Sequence, residues 1–228
     1  MMSYWVIFIV FMLLSWLVQH TMQSRFAKYS KEYLPSGLTG KEVAEKMLHE
    51  NGIYDVQVTC IPGKLTDHYN PTNKTLNLST EVYNGSSVAS AAVAAHECGH
   101  AVQHAEAYYW LNLRSTLVPV VNIGGTLSTW ILLGGLILMG FTAVLGKYVA
   151  IAGICLYALT TLFAFITLPV EYNASNRALA WLENNNIAVG INHDHAKDAL
   201  KWAARTYVVA AIASLATLLY YVSLVNRD

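Results

Sequence analysis

Four long apolar runs, separated by polar segments, dominate the hydrophobic pattern of the chain. They cover residues 4–19, 117–140, 147–169 and 206–225. A helix needs about 20 apolar residues to cross a bilayer, so the first run borders on too short. It has no basic segment before it and no small-residue cleavage site, which favours an uncleaved anchor over a signal peptide. The pattern predicts a mainly α-helical, multi-pass membrane protein with four transmembrane helices.

The polar segments between these runs are expected to form a small α+β metalloprotease part. Thr39 and Glu42 have the spacing of a capping box, ahead of a helix that Gly52 should end. The rest of the expected secondary structure is a strand within 54–61, a strand within 74–79, a helix from about Ser87 through the histidines near residue 100, and a helix that opens the second polar segment at residue 171. The run TLNLS (75–79) could be an edge strand that aligns an extended peptide, or simply a strand in a small sheet.

Charged residues are scarce and unevenly distributed. They make up 12% of the chain, against roughly 25% in soluble domains, and the net charge is zero. Of the 14 Lys and Arg residues, all but Lys147 and Arg227 fall in the polar segments 20–116 and 171–205. The positive-inside rule then predicts that both segments are cytoplasmic and both termini outside. A reducing compartment also suits the three scattered cysteines. We expect a lipid bilayer around the chain and no nucleic-acid partner.

The candidate chemistry lies in the sequence HECGH at residues 96–100. Positions i and i+4 of a helix share one face, so His96 and His100 can bind one zinc ion. Glu97, beside that face, can accept a proton from the zinc-activated water and pass it to the leaving amine. The alternative is a helix whose histidines are only packed or interfacial. A third ligand decides between the two.

Glu171 is the best candidate for that third ligand. It is the first acidic residue after a long apolar run, directly behind Pro169, and an ionisable group at a membrane boundary is costly unless it is paired or coordinated. The alternative is a carboxylate that is solvated at the headgroup level. His104 continues the i, i+4 series, but a continuous helix places its Cα about 12 Å from that of His96. Glu106 meets the same objection.

Several segments, in the same order along nearly the whole chain, resemble the neutral zinc metallopeptidases of bacterial membranes, the YugP-like family. The segments are LTDHYNP, TLNLS, AAHECGHAVQ, TLPVEYNASNRAL and AARTYVVAA. The chain is more distantly similar to HtpX-like and prenyl-processing membrane proteases. The resemblance implies one zinc ion per chain, with His96, His100 and Glu171 as ligands and Glu97 as general base.

One position departs from the distant relatives. Where they have an aspartate four residues after the ligand glutamate, this chain has Ser175. That aspartate would hold a histidine in one tautomer, so another group must do so here. Asp67 is a candidate, although it could simply cap its own turn. His68, Tyr69, Asn173 and Arg177 remain open as donors to the oxyanion of the reaction.

The sequence as a whole favours one membrane metallopeptidase domain over residues 1–228. We interpret it as a zinc-dependent endopeptidase of the bacterial cell membrane, with its active site at the cytoplasmic face and a peptide or membrane protein as substrate. An oligomer or a regulatory partner is left open. The alternatives are a non-catalytic zinc-binding scaffold and a hydrolase of a small amide or lipid.

Overall fold

A computed structural model describes residues 4–226 of the chain. Seven helices and three strands follow one another within these residues, in the order α1 (Tyr4–Tyr29), α2 (Gly40–Glu50), β1 (Gln57–Ile61), β2 (His68–Asn70), β3 (Thr75–Ser79), α3 (Thr80–Asn84), α4 (Val88–Ala105), α5 (Tyr109–Met139), α6 (Ala143–Asn184) and α7 (Ile191–Val225). The protein is therefore mainly helical with a small sheet, as the sequence predicts.

Within residues 4–226, the four helices α1, α5, α6 and α7 are long and apolar enough to cross a membrane. This confirms the number and the order of the predicted spans. The helices extend beyond the apolar runs, and α1 has 26 residues, so its short apolar run lies within a helix of sufficient length. Helix α6 continues through Pro169 to Asn184, which places the third apolar run and Glu171 on one helix.

The described chain divides into two compact units. One comprises residues 4–17, 112–168 and 206–226, which hold the apolar runs. Within it, α5 and α6 approach closely because small residues face each other. A Cβ atom on Gly135 would lie 2.3 Å from the backbone nitrogen of Ala150, and one on Gly153 would lie 2.6 Å from that of Leu132. Small residues at such positions let helix backbones approach in a membrane.

The other unit comprises residues 18–111 and 169–205 and contains the polar segments. Its core surrounds α4, whose alanines at 89, 91, 92, 94 and 95 are buried. These short side chains let neighbouring elements approach the α4 backbone. The approach is closest at Gly99, where an added Cβ would lie 2.6 Å from the carbonyl oxygen of Ala174 on α6.

The sheet corrects one expectation about the strands. Its order is β1-β3-β2, with β1 parallel and β2 antiparallel to β3. The run TLNLS forms β3 and is therefore the central strand, not an edge strand. The two edge strands are β1 and β2. Strand β2 has only three residues, and the turn-rich sequence around it gives no strand signal.

The helix ends agree with the sequence signals. Thr39 and Glu42 form the predicted capping box at the start of α2. Gly52, two residues after the end of α2, has φ +71°, a conformation that favours glycine. The side chain of Ser87 caps α4 by accepting a hydrogen bond from the backbone of Ser90. The Ser87 cap fixes where α4, the helix that carries HECGH, begins.

Candidate metal centre

His96, His100 and Glu171 meet at one buried point. The Oε2 atom of Glu171 lies 3.4 Å from Nε2 of His96 and 3.7 Å from Nε2 of His100. One ligand atom from each of the three residues lies within 4.8 Å of the others. Glu171 is 4% exposed. The tertiary structure thus brings together the three predicted ligands, although Glu171 is about seventy residues from the two histidines in the sequence.

Two helices position these side chains. The i, i+4 spacing places the His96 and His100 rings on one face of α4, 4.8 Å apart and nearly perpendicular. Glu171 comes from α6, which passes next to this face because Gly99 lets the Ala174 backbone approach. Glycine between the histidines therefore has a packing role, since any larger residue would push the carboxylate away from the imidazoles.

Both imidazoles are held through their Nδ1 atoms. Nδ1 of His96 lies 3.1 Å from Oγ of Ser175, and Nδ1 of His100 lies 3.0 Å from Oε1 of Gln103. A ligating histidine commonly donates its other ring N–H to such an acceptor, which fixes its tautomer. A proton on each Nδ1 would leave both Nε2 lone pairs available for a metal ion beside Glu171. Two imidazole nitrogens and one carboxylate are a donor set that suits zinc.

Gln103 is a site residue that the sequence reasoning missed. Its side chain is fully buried, and its Nε2 group donates to the carbonyl oxygen of Val170 (2.8 Å) and to Oδ1 of Asn173 (2.9 Å). Since the amide nitrogen faces two acceptors, the amide oxygen must face His100 and accept its Nδ1–H. Gln103 thus links His100 to Val170, the residue that precedes Glu171. Its spacing of i+3 from His100 is the signal that could have identified it.

Burial and charge shift the protonation of the ligands in opposite directions. Burial alone would raise the pKa of the Glu171 carboxyl, but its hydrogen bonds with His100 and His96 hold the pKa well below the usual value. Burial would lower the pKa of His100, yet the hydrogen bond with Glu171 and the charge of Glu97 raise it. A carboxylate that stays ionised between two imidazoles favours the binding of a cation.

Glu97 lies beside the three ligands and is held by the sheet. Its carboxylate is 9% exposed, and Oε2 accepts a hydrogen bond from the backbone N–H of Tyr69 at 3.0 Å. Tyr69 is the middle residue of β2, so the edge strand fixes the orientation of Glu97. The second oxygen, Oε1, is the atom through which Glu97 would exchange a proton.

Asp67 and His68, the other two predicted site residues, contact residues other than the ligands. The Asp67 carboxylate accepts from the backbone N–H (2.7 Å) and the hydroxyl (3.1 Å) of Ser79, while burial raises the pKa of Asp67. The histidine contact that we considered for Asp67 is made by Ser175 instead. The ring nitrogens of His68, an exposed residue, contact the carbonyl oxygen of Thr66 and the amide nitrogen of Asn77.

The remaining candidates form a polar network around the site. His104 contacts the hydroxyl of Tyr69 at 2.8 Å, and within residues 4–226 it does not belong to the metal-binding group. Arg177 donates to Asn173 (2.8 Å) and to Glu106 (2.6 Å).

Cys98 points into the core toward the Ala44 carbonyl, and burial raises the pKa of its thiol, so it is a packing residue.

Comparison with known proteins agrees with this geometry. Residues 4–226 match the family described as "Putative neutral zinc metallopeptidase". A relative named "Putative membrane protease YugP", from Bacillus subtilis (strain 168), is 42% identical over 209 residues, which cover 92% of this chain and 90% of the relative. No solved structure matches the chain significantly.

Proposed function

This chain belongs to the family described as "Putative neutral zinc metallopeptidase", and from that premise we propose that it is a membrane zinc endopeptidase. His96, His100 and Glu171 bind one zinc ion, and Glu97 is the general base. The single observation that supports this best is the convergence of two Nε2 atoms and one carboxylate oxygen on a buried point.

The number of ligands favours catalysis over a purely structural zinc site. Structural zinc is usually closed by four protein ligands, whereas catalytic zinc keeps a position open for water or substrate. In the part of the chain that the structure describes, this group contains three residues. A bound zinc ion would supply a Lewis acid and lower the pKa of water toward about 7.

The chain's own residues have separate tasks in this proposal. The Tyr69 N–H holds one oxygen of Glu97, which leaves the other free to take a proton from water and deliver it to the leaving amine. Gln103 and Ser175 hold the imidazole rings in the tautomer that presents Nε2. His68, Tyr69, Arg177 and Asn173 remain proposals as donors to the oxyanion.

The substrate is proposed to be a peptide, which would bind along β2 and not along β3. An extended peptide adds to a sheet at an edge strand, and β2 is the edge strand whose backbone contacts Glu97. A peptide there would lie next to the base. We further propose that the site faces the cytoplasm, which the concentration of basic residues in segments 20–116 and 171–205 supports.

Two substitutions test the role of Glu171 as ligand and the role of Glu97 as base independently. In detergent-purified protein, Glu97→Gln should abolish cleavage of a general peptide substrate and keep zinc at the wild-type level, because an amide at this position cannot accept the proton. Glu171→Ala should lower the zinc content and with it the activity. Zinc is measured by elemental analysis and cleavage by a fluorogenic peptide assay. Glu45→Ala, a carboxylate on α2 outside the metal-binding group, is the matched control.

The two readouts also separate the alternatives. Loss of zinc in Glu97→Gln would refute the base assignment, and a normal zinc content in Glu171→Ala would remove Glu171 from the ligands. Wild-type protein that binds zinc and cleaves no peptide would support the scaffold or the hydrolase of a small amide or lipid.

A further inference from the structure

We propose that a cavity between α6 and α7 binds the phosphate group of an anionic membrane lipid. The cavity has a volume of about 230 Å³. It is lined by Tyr172, Ser175, Asn176, Leu179, Lys197, Leu200, Lys201 and Ala204. The cavity borders the proposed metal centre through Ser175, whose hydroxyl contacts His96, but lipid binding has no role in the proposed hydrolysis.

The charge of the cavity selects an anion. Lys197 and Lys201 lie one turn apart on α7, and both line the cavity, which has no carboxylate in its wall. The nearest acidic neighbour in sequence, Asp198, is already engaged by Arg25 and by the hydroxyl of Tyr29. The two ammonium groups therefore lack an acidic counterpart within the cavity, and a phosphate would supply it.

The inner wall offers a hydrogen-bond donor as well as charge. Ser175 is 7% exposed and lies between the cavity and His96, whose Nδ1 is 3.1 Å from the serine hydroxyl oxygen. When His96 donates its Nδ1–H to that oxygen, the hydroxyl hydrogen is available for another acceptor. An anion in the cavity can accept it. Asn176 is a further polar residue in the wall.

The position along α7 identifies the anion as a lipid phosphate. Lys201 precedes Thr206, where the last apolar run begins, by only five residues. Arg205 stacks on Trp202 in this stretch, with its guanidinium carbon 4.0 Å from the ring centroid. Aromatic and basic residues at the end of a membrane span are typical of the headgroup level, where basic pockets between helices bind anionic headgroups. The small volume suits one headgroup and not a peptide.

The experiment titrates detergent-purified protein with short-chain phosphatidylglycerol and counts bound lipid by native mass spectrometry. Phosphatidylcholine, which carries no net charge, is the control lipid. Each lysine near an anionic headgroup is worth about a fivefold change in affinity, so Lys197→Gln with Lys201→Gln should weaken phosphatidylglycerol binding about 25-fold. The double substitution to arginine keeps the charges and should keep the affinity. Thermal unfolding checks that each variant is folded.

A matched double variant tests whether the site is local. Lys28→Gln with Lys31→Gln removes two basic residues close behind the first apolar run and should leave the affinity unchanged. An equal loss in that variant would show diffuse charge attraction and overturn the proposal, as would wild-type affinity after loss of Lys197 and Lys201. Displacement of the lipid by inorganic phosphate at the lipid's own concentration would overturn the lipid assignment. Metal-free protein should give the same results.

Discussion

Replacement of Gln103 by methionine should weaken zinc binding without unfolding the protein. Methionine has a similar length and fills the same buried volume, but it can accept no strong hydrogen bond from His100. Two of the three groups that contact Gln103 keep other interactions. The Val170 carbonyl lies inside α6, and Oδ1 of Asn173 also accepts from Arg177. Only the Nδ1–H of His100 is left without its acceptor.

The loss of that contact destabilises mainly the zinc-bound state. A buried donor without an acceptor costs about 1–3 kcal/mol. In the metal-free protein His100 can move its proton to Nε2 and donate to Glu171, which avoids the cost. A zinc ion bound at Nε2 would leave Nδ1 as the only position for the proton of His100. We therefore expect zinc affinity to fall about tenfold to a hundredfold, as is usual when the partner of a ligating histidine is removed.

Zinc affinity is measured by competition with a chromogenic chelator, and thermal unfolding of the metal-free protein reports the fold. Gln103→Glu is the informative companion, because its carboxylate can accept from His100 but cannot donate to Val170 or Asn173. It should keep most of the zinc affinity while destabilising the fold. An affinity of Gln103→Met within about twofold of wild type would refute the reasoning. So would an equal loss in both variants.

Two further substitutions test the packing and the orientation of the site. Ser175→Ala removes the contact with His96 and should weaken zinc binding about tenfold in the same competition assay; an unchanged affinity would mean that Ser175 does not orient the ring. Gly99→Ala places a methyl group 2.6 Å from the Ala174 carbonyl oxygen and should destabilise the fold by about 1–3 kcal/mol in thermal unfolding. Gly134→Ala, where an added Cβ meets nothing within 4 Å, is the control and should be near neutral. Equal stability of the two variants would contradict the packing argument.

Features that depend on local pattern could be predicted from the sequence alone. The length and hydropathy of four runs predicted the membrane spans, because crossing a bilayer requires a fixed length of apolar helix. Thr39, Glu42 and Gly52 predicted the limits of α2, because caps act within one turn. The spacing of His96 and His100 predicted a shared helix face, since helix geometry alone relates positions four apart.

Packing between elements determines which distant groups meet. In the sequence, Gln103 is an ordinary polar residue near a helix end. In the structure, α6 packs beside it and supplies the acceptors for its amide nitrogen. Ser175 makes the contact with His96 because α6 packs against α4 at Gly99. Asp67 accepts from Ser79 instead of contacting a histidine. The sheet order made β3 the central strand and β2 one of the two edge strands, which no alternation pattern can reveal. Hydrogen-bond partners of this kind depend on packing between elements, and sequence spacing carries no record of it.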